Sequence, residues 1–539
     1  SFLIVLISSL FAIANATKPT KGSVFYYPSG HYYQFVPGLI DPNAAAFGSF
    51  QQTSESNGWG QLVIESNINF ETSVQAHAAG YLEGVLTSEE IQNTVLNFGT
   101  PALSTHVEMF LVKNALFLAQ SCGFAAKKDP YWSAVCAMHD QLHGLAAGYE
   151  SVSGKPVADY QWFHLYNIQN SLGDIDTAFS KQKNKPYVRE NSKCSGFVRK
   201  TDTDLFVSQA TWTEFNQLGR VLKSYNFPWH GVANQNVSFS SYPGMIWSSD
   251  DFYQVDDRFA VFETTADVVN ATLWRALSPN TVLTMFRTMT ANRLAVSSES
   301  WSKEFAKYNS GTYNNQFFVV DYYRAKKRLP NNDLPSDTVW MTEQLPGYIK
   351  HGDITDLINH DGYFGSFNLW YWPETVKKSG LPALVKEHGS WFVYDKCPRY
   401  NIFKRGMAAV LDEHSAKQII RFNEFKTDPL SVDPVRSAEN AIAARSDLNP
   451  ANKHYPFAAL GPRCHGAIDA KLTSMKLQAS KTFTVVAGPT WGAQSGSDNL
   501  PPFAWDQVTN GHPCYPYATK HVGQLNKPYA FDWMLFSQQ

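Results

Sequence analysis

The sequence has little charge for its length and, after its first residues, no long apolar run. Charged residues make up 17% of the 539 residues and the formal net charge is -2. This composition argues against a nucleic-acid-binding protein, because such proteins carry a basic face. No later segment reaches the ~18 consecutive apolar residues of a membrane-spanning helix. Apolar residues make up 44% of the chain and aromatic residues 14%, so we expect a large core rather than disorder.

The first residues, SFLIVLISSLFAIANA, have the pattern of a secretory signal peptide. Residues 2–13 form a short apolar stretch, and residues 14–16 form a small-x-small cleavage site. The stretch is too short to span a bilayer. We therefore predict a signal peptide at residues 1–16, a mature chain from near Thr17, and a secreted or lysosomal/endosomal lumen as the location.

The chain has only six cysteines, few for a disulfide-dense scaffold, and a secreted protein could pair them. Cys122 and Cys136 are close in sequence, and Cys464 and Cys514 fall in one loop-rich region, so we predict these two bridges. Two Asn-x-Ser/Thr sequences are candidate glycosylation sites. Their acceptors are Asn236 and Asn270.

The pattern of apolar residues changes along the chain. Residues 22–70 alternate as strands do, and residues 74–180 repeat apolar positions at helical spacing. Residues 181–193, KQKNKPYVRENSK, form a basic, protease-accessible linker without periodicity. Strands then dominate, with helices between and after them, for example TEFNQLGRVLKSY at residues 213–225. Such runs predict an α+β fold with antiparallel sheets.

The common catalytic signatures are absent. The chain has no Gly-x-Ser-x-Gly elbow, no Gly-x4-Gly-Lys phosphate loop and no dinucleotide glycine fingerprint. His139 and His143 share a helix face at metal-ligand spacing, but Asp140 stands where a zinc protease would have Glu. We interpret this motif as a polar helix face, and we predict no metal and no organic cofactor.

Cys194 is isolated in the sequence, and three interpretations are open. A lone cysteine is most often a small buried hydrophobe or a disulfide partner. However, Cys194 lies where the linker meets the start of a strand, and Ser195 and Gly196 leave room beside the sulfur. These two features favour a nucleophile.

Several long segments together resemble the phospholipase B-like family. They occupy residues 240–253, 291–295, 308–323, 394–399, 438–452 and 488–491, and CSGFV with DLFVSQATW resembles the nucleophile segment of that family. The resemblance implies an N-terminal-nucleophile hydrolase, an αββα sandwich with two antiparallel sheets between helical layers. It also implies a cut between Lys193 and Cys194. The resulting fragments, 17–193 and 194–539, would form one globular unit.

The resemblance further implies the residues of the active site. Cys194 would be the nucleophile, and its freed α-amine, with an unperturbed pKa of ~7.7–8.0, would serve as the base. Asn368 resembles the donor to the oxyanion, worth ~3 kcal/mol. Arg399 resembles the arginine beside the thiol, where its charge favours thiolate. Cys397 is either a second free thiol or a bridge partner.

Three further residues would form the substrate pocket. Trp212 and Thr265 resemble pocket residues of the family. Gln209 departs from the family, which commonly has a histidine three residues before the tryptophan. Glutamine forms hydrogen bonds but exchanges no proton near neutral pH, so this change would alter rate or specificity if the histidine takes part in proton transfer.

These expectations lead to one main hypothesis and two alternatives. The main hypothesis is a self-processed acyl hydrolase that cleaves ester bonds of (lyso)phospholipids. The alternatives are an amidase for N-acyl amides or peptides on the same fold, and a catalytically silent luminal protein that binds lipid or a partner. The expected partner is a phospholipid or other acyl substrate. Transient contact with a membrane surface and homo-oligomer formation are both compatible with the sequence.

Overall fold

The computed structural model describes residues 20–126, 128–153, 158–179, 194–496 and 499–537. The predicted signal peptide and the whole of the predicted linker, including Lys193, lie outside these residues. The strands are β1 (Lys21–Tyr27), β2 (Tyr32–Pro37), β3 (Ala46–Gln52), β4 (Trp59–Ser66), β5 (Cys194–Lys200), β6 (Leu205–Glu214), β7 (Arg220–Asn226), β8 (Asn236–Ser241), β9 (Phe252–Val255), β10 (Phe259–Thr265), β11 (Asn315–Asp321), β12 (Val339–Leu345), β13 (Tyr348–Asp353), β14 (Tyr363–Ser366), β15 (His465–Ala467), β16 (Asp469–Thr473), β17 (Thr482–Ala487) and β18 (Met534–Ser537). The α-helices are α1 (Ser54–Asn57), α2 (Thr72–Leu86), α3 (Ser88–Phe98), α4 (Thr105–Ala125), α5 (Pro130–Ser153), α6 (Tyr160–Asn167), α7 (Gln169–Phe179), α8 (Thr284–Leu294), α9 (Ser298–Ala306), α10 (Tyr322–Ala325), α11 (Thr355–Asp361), α12 (Pro373–Ser379), α13 (Leu381–His388), α14 (Pro398–Gly406), α15 (Glu413–Arg421) and α16 (Met475–Ala479).

The larger sheet has eleven strands in the order β13-β12-β11-β10-β9-β8-β7-β4-β3-β1-β2. Its strand pairs are antiparallel except β4 with β7, which run parallel. The expectation of purely antiparallel sheets was therefore wrong at this pair. A parallel pair requires a long crossover, and here the helices α2 to α7 and the hairpin β5–β6 lie between the two strands in sequence. One sheet thus combines strands from both sides of Cys194.

The smaller sheet has the order β14-β5-β6-β16-β17-β18, and β15 also pairs with β6. It packs face to face on the larger sheet. A Cβ atom at Gly196 on β5 would lie 2.6 Å from the Phe262 ring on β10, so a side chain there would push the sheets apart. Farther along, the rings of Phe252 and Phe483 are 5.5 Å apart between centroids.

Helices pack on the strands of both sheets. On β7 the buried Lys223 pairs with Glu83 of α2, whereas Arg220 pairs with Asp469 of the smaller sheet. On the smaller sheet, the Phe197 ring of β5 packs 5.9 Å from Phe403 of α14. The α+β sandwich expected from the sequence is confirmed.

The predicted helix at residues 213–225 was wrong. The structure has the end of β6 there, a short 3-10 turn and then β7. Strand β7 lies between β4 and β8 in the interior of the larger sheet, where its backbone groups pair on both sides. Tertiary pairing thus outweighs the helical spacing of its apolar residues.

Both predicted disulfides are present, and Cys194 and Cys397 are free and buried. The side-chain amides of Asn236 and Asn270 each donate one hydrogen bond, to Asp256 and to the Lys378 carbonyl, which leaves one amide hydrogen on each. In the described part of the chain, no helix combines the length and the apolarity needed to cross a membrane.

Candidate active site around Cys194

Cys194 is the first residue of β5, inside the smaller sheet between β14 and β6. Its side chain is only 2% exposed. Burial raises the pKa of the Cys194 thiol well above its usual value, and the negative charge of Glu263 adds to this effect. The thiol is therefore held in its protonated form in this environment.

Arg399 connects the start of β5 to the next candidate residue. It lies in the first turn of α14, which begins at Pro398. Its Nη1 donates to the Cys194 carbonyl at 2.9 Å and to Asn368 Oδ1 at 2.8 Å, and Ser195 Oγ lies 3.4 Å away. Burial lowers the pKa of Arg399 to about 10, so the guanidinium stays charged at neutral pH.

Asn368 follows β14 and adopts a left-handed backbone with φ of 71°. Its Nδ2 donates to the Thr265 carbonyl at 2.6 Å, and its backbone N–H donates to Thr264 Oγ1 at 3.2 Å. Because the amide has two hydrogens, the second can be directed at a substrate oxygen. Asparagine tolerates this backbone conformation better than most residues do.

A buried chain of hydrogen bonds begins at Thr264, which accepts from the Asn368 backbone. Thr264 Oγ1 and Ser366 Oγ are 2.7 Å apart, Ser366 donates to Gln316 Oε1 at 2.6 Å, and Gln316 donates to Glu343 Oε1 at 2.7 Å. Burial raises the pKa of Glu343 to about 7. The chain fixes the backbone that carries Asn368.

Trp212 and Thr265 also contact this group of residues. The Arg399 guanidinium carbon lies 4.6 Å from the centre of the Trp212 ring, within cation–π range. Thr265 Oγ1 donates weakly to Glu263 Oε2 at 3.4 Å. Thr265, Trp212, Asn368 and Arg399 are thus joined to Cys194 by a continuous set of contacts.

An apolar cleft opens beside this set. Three of the predicted residues line it, namely Thr265, Asn368 and Arg399, together with Cys397. Cys194, Gln209 and Trp212 do not line it. The apolar walls come from Phe367, Leu369, Trp370, Leu381, Trp391 and Phe392.

Gln209 lies between the two sheets. Its Nε2 donates to the Asp250 carbonyl at 2.6 Å and to the Glu263 carbonyl at 2.8 Å. The bond to Glu263 ties β6 of the smaller sheet to β10 of the larger one. A histidine ring nitrogen carries one hydrogen and would satisfy only one of these carbonyls.

A buried charged layer, which the sequence analysis missed, lies on the same face of the smaller sheet as Cys194. Arg220 donates to Asp469 at 2.8 Å and also pairs with Asp250, and Lys471 donates to Asp469 at 2.8 Å. Burial opposes ionisation of Asp469, but Lys471 and Arg220 hold the pKa of its carboxyl below its usual value. The alternating charges in DAKLT, residues 469–473, were the available signal, since residues two apart share a strand face.

The His139 and His143 motif has a different environment. The His139 ring stacks on Phe286 at 4.3 Å and the His143 ring on Tyr160 at 3.8 Å. Burial, with the neighbouring His164, lowers the pKa of His139 to about 3. Among the described residues, no group of three or more His, Cys, Asp or Glu side chains could hold a metal ion.

Comparison with known proteins matches most of the chain to one family. The family model described as Phospholipase B matches residues 46–536. A rat protein named phospholipase B-like 2 is 36% identical over 495 residues, covering 86% of this chain and 83% of the relative. A Caenorhabditis elegans protein named phospholipase B-like 1 is 34% identical over 532 residues, covering 94% and 91%.

A third relative also matches most of the chain. Phospholipase B-like protein B of Dictyostelium discoideum is 32% identical over 520 residues, covering 92% of this chain and 86% of the relative. The family match over residues 46–536 contains every candidate residue from Cys194 to Arg399. The chain therefore belongs to the phospholipase B-like family.

Proposed function

We propose that this protein is a luminal acyl hydrolase that cleaves ester bonds of phospholipids or lysophospholipids after cutting its own chain before Cys194. One observation carries the proposal: Arg399 Nη1 joins the Cys194 carbonyl and Asn368 Oδ1 at the edge of an apolar cleft. These two bonds link the backbone of Cys194 to a cation and an amide that line the cleft, which supports the proposal. The sandwich of two sheets and family membership support an N-terminal-nucleophile mechanism.

The proposed maturation is an intramolecular acyl transfer. The Cys194 sulfur bonds to the Lys193 carbonyl carbon, the carbon–nitrogen bond of that peptide breaks, and the thiol proton moves to the nitrogen. Water then attacks the thioester carbon, which restores the thiol and leaves a carboxylate on Lys193. The products are a free α-amine on Cys194 and two polypeptides.

The proposed turnover uses this new amine. The amine accepts the thiol proton as the sulfur attacks the ester carbonyl, and it returns a proton to the departing alcohol. Water then attacks the carbonyl carbon of the acyl thioester and gives a proton to the sulfur, which releases the fatty acid and restores the thiol. The second amide hydrogen of Asn368 donates to the oxygen that becomes negatively charged. Arg399 holds both Asn368 and the Cys194 backbone in place, while Gln209 acts as a link between sheets rather than a proton carrier.

The substrate class is inferred from the cleft and the family. The cleft walls are in part aromatic and aliphatic, and Asp267, Glu439 and Asn440 also line the cleft. The apolar part of such a surface suits an acyl chain. The predicted signal peptide, the two disulfides and the candidate glycosylation sites support a secreted or lysosomal/endosomal location. Residues 17–193 and 194–539 are the two proposed fragments.

The first test is Cys194→Ala, which removes the proposed nucleophile. The wild-type protein should run as two fragments on a denaturing gel, and the larger should begin Cys-Ser-Gly. The variant should remain one chain. Cys397→Ala, which removes the other buried free thiol, is the matched control and should still be cut. An uncut wild-type protein that turns over substrate would contradict the proposal.

The second test separates ester from amide cleavage. Lysophospholipid and an N-acyl amide with the same acyl chain are offered to the processed protein, and fatty acid release is measured. We expect release from the ester. Faster release from the amide would favour the amidase alternative, and release from neither with lipid still bound would favour a silent binding protein.

A further inference from the structure

Three buried polar side chains beside Cys194 have no part in the mechanism above. Thr211 on β6 and Asp469 and Lys471 on β16 are all shielded from solvent. Thr211 is the residue directly opposite Cys194 in the β5–β6 pair. Side chains at such paired positions stand on the same face of the sheet with Cβ atoms ~4.5–5.5 Å apart.

The hydrogen bonds around Lys471 fix the direction of the Thr211 hydroxyl. Lys471 Nζ donates to Asp469 Oδ1 at 2.8 Å and also to Thr211 Oγ1. An ammonium group only donates, so Thr211 accepts this bond and its own proton is left for a second bond. The Thr211 backbone N–H in turn donates to Asp469 Oδ1 at 3.0 Å, which holds the arrangement together.

The uncut chain needs such a group. The α-amine that acts as base during turnover does not exist before the cut, because its nitrogen is still part of a peptide. Burial and Glu263 disfavour negative charge on the Cys194 sulfur, whereas a hydrogen bond from the Trp212 backbone and the charge of Lys471 favour it. Thr211, which accepts from Lys471 and is paired with Cys194 across the two strands, is the residue through which Lys471 can act on the sulfur.

We propose that Thr211 is a positioning residue for self-cleavage: oriented by Lys471, its hydroxyl donates a hydrogen bond to Cys194 Sγ. This bond stabilises the sulfur as its proton leaves for the Cys194 nitrogen and as the bond to the residue 193 carbonyl carbon forms. Thr211 keeps its own proton throughout. The inference rests on the self-cleavage step of the proposed function and adds the group that supports the sulfur before the amine is free.

The test measures the rate of self-cleavage during cell-free synthesis, from the two fragments on a denaturing gel. Thr211→Val keeps the shape of the side chain and removes the hydroxyl. We expect cleavage to slow about 10- to 100-fold, the effect of one hydrogen bond to a charged group. Thr211→Ser keeps the hydroxyl and should cleave within about threefold of wild type.

The matched control is Thr473→Val on β16. Within the described residues, Thr473 Oγ1 is buried without a hydrogen-bond partner, so this variant should cleave at the wild-type rate. Thermal unfolding of each variant in an uncut Cys194→Ala background reports whether it folds. If Thr211→Val does not fold, Thr211→Ala is measured in its place. Self-cleavage of Thr211→Ala should then be slower than that of Thr211→Ser by the factor expected for Thr211→Val.

The outcomes separate the two proposals. Wild-type cleavage by folded Thr211→Val, with Cys194→Ala uncut, overturns the role of Thr211 and leaves the proposed function standing. Equal slowing in the valine and serine variants also overturns it, because the hydroxyl would then not be the active group. Cleavage of Cys194→Ala would overturn the proposed function itself.

Discussion

At the scale of single residues, Asn368 combines a site role with an unusual backbone. Its side chain accepts from Arg399 and donates to the Thr265 carbonyl, and its φ of 71° falls in the left-handed region. Residues other than glycine and asparagine pay about 1 kcal/mol or more for this conformation. A substitution here therefore changes chemistry and backbone energy together.

Two variants separate these effects. Asn368→Gly removes the amide and keeps the backbone relaxed, whereas Asn368→Ala removes the amide and adds strain. Both should lower ester turnover by about 10²-fold or more through loss of one oxyanion donor. Only Asn368→Ala should lower the free energy of unfolding further, by about 1 kcal/mol relative to Asn368→Gly.

The measurements are kcat on processed protein and urea unfolding of both variants. Turnover that stays at the wild-type level in Asn368→Gly would exclude the amide as the oxyanion donor. Equal unfolding free energies in the two variants would exclude backbone strain at this position.

Single residues also mark the limit of sequence-based prediction. The predictions for Arg399, Asn368, Thr265 and Trp212 rest on the family resemblance, whereas Cys194 is also favoured by its position and its small neighbours. The structure joins the five residues through a continuous set of contacts. Their roles in catalysis stay predictions. Spacing in sequence could not have joined them, because Arg399 is 205 positions from Cys194 and meets it only through the packing of α14 on the smaller sheet.

At the scale of elements, α2 and α5 pack backbone to backbone. Gly80 and Gly84 on α2 face Gly144 and Gly148 on α5, four residues apart on each helix. A Cβ at Gly144 would lie 2.0 Å from the His77 carbonyl oxygen. The helices cannot approach this closely with any side chain at these positions.

Gly144→Ala should therefore destabilise the protein although alanine favours helices. We expect the free energy of unfolding to fall by about 1–3 kcal/mol, the usual result of overpacking. Gly173→Ala on α7 is the matched control, since nothing lies within 4 Å of the added Cβ. It should raise stability by up to about 1 kcal/mol. Urea unfolding of both variants checks that the free energy of unfolding changes in opposite directions. An unfolding free energy for Gly144→Ala equal to that of the wild type would contradict the close packing.

Most elements could be predicted from periodicity, but not all. The strands before residue 70 and the helices up to residue 179 follow their apolar spacing. Strand β7 does not, because its neighbours β4 and β8 impose pairing that no local pattern encodes. The charged layer of β16 was missed for a similar reason: Asp469 and Lys471 are tolerated in the core only because Arg220 and Thr211 are brought to them by other strands.

At the scale of the whole molecule, the two proposed fragments share one sheet. Strand β4 comes before Cys194 and β7 after it, and they pair over the full length of β7. A cut before Cys194 would break one peptide bond and none of this pairing. The parallel β4–β7 pair could not be foreseen, because the sequence does not state which strands meet after a long crossover.

The stability of the molecule should depend on pH through Glu343. Burial raises the pKa of this carboxyl to about 7 from an ordinary 4.5. Between these values the folded protein holds a proton that the unfolded chain releases. The contribution of protonated Glu343 to stability is complete below the pKa that this residue has in the unfolded chain, and it declines as pH rises towards 7. The protein should therefore be more stable in an acidic medium.

Glu343→Gln removes this titration and keeps the Oε1 acceptor for Gln316 and the Tyr371 N–H. The loss of unfolding free energy from about pH 5 to about pH 8 should shrink by about 1–3 kcal/mol in the variant. Urea unfolding across this range measures the change. Glu374→Gln, at an exposed position on α12, controls for the loss of one formal negative charge. Identical pH profiles for wild type and Glu343→Gln would contradict the prediction.

The burial of the two unpaired cysteines has a consequence for the compartment in which the protein can mature. Cys194 and Cys397 expose 2% and 3% of their surface. Thiol–disulfide exchange requires one sulfur to approach another directly, and burial slows the approach of glutathione or an oxidoreductase to either sulfur. Burial thus protects these two thiols from oxidation. The chain can close two bridges among its six cysteines and keep the other two reduced, even in oxidising surroundings.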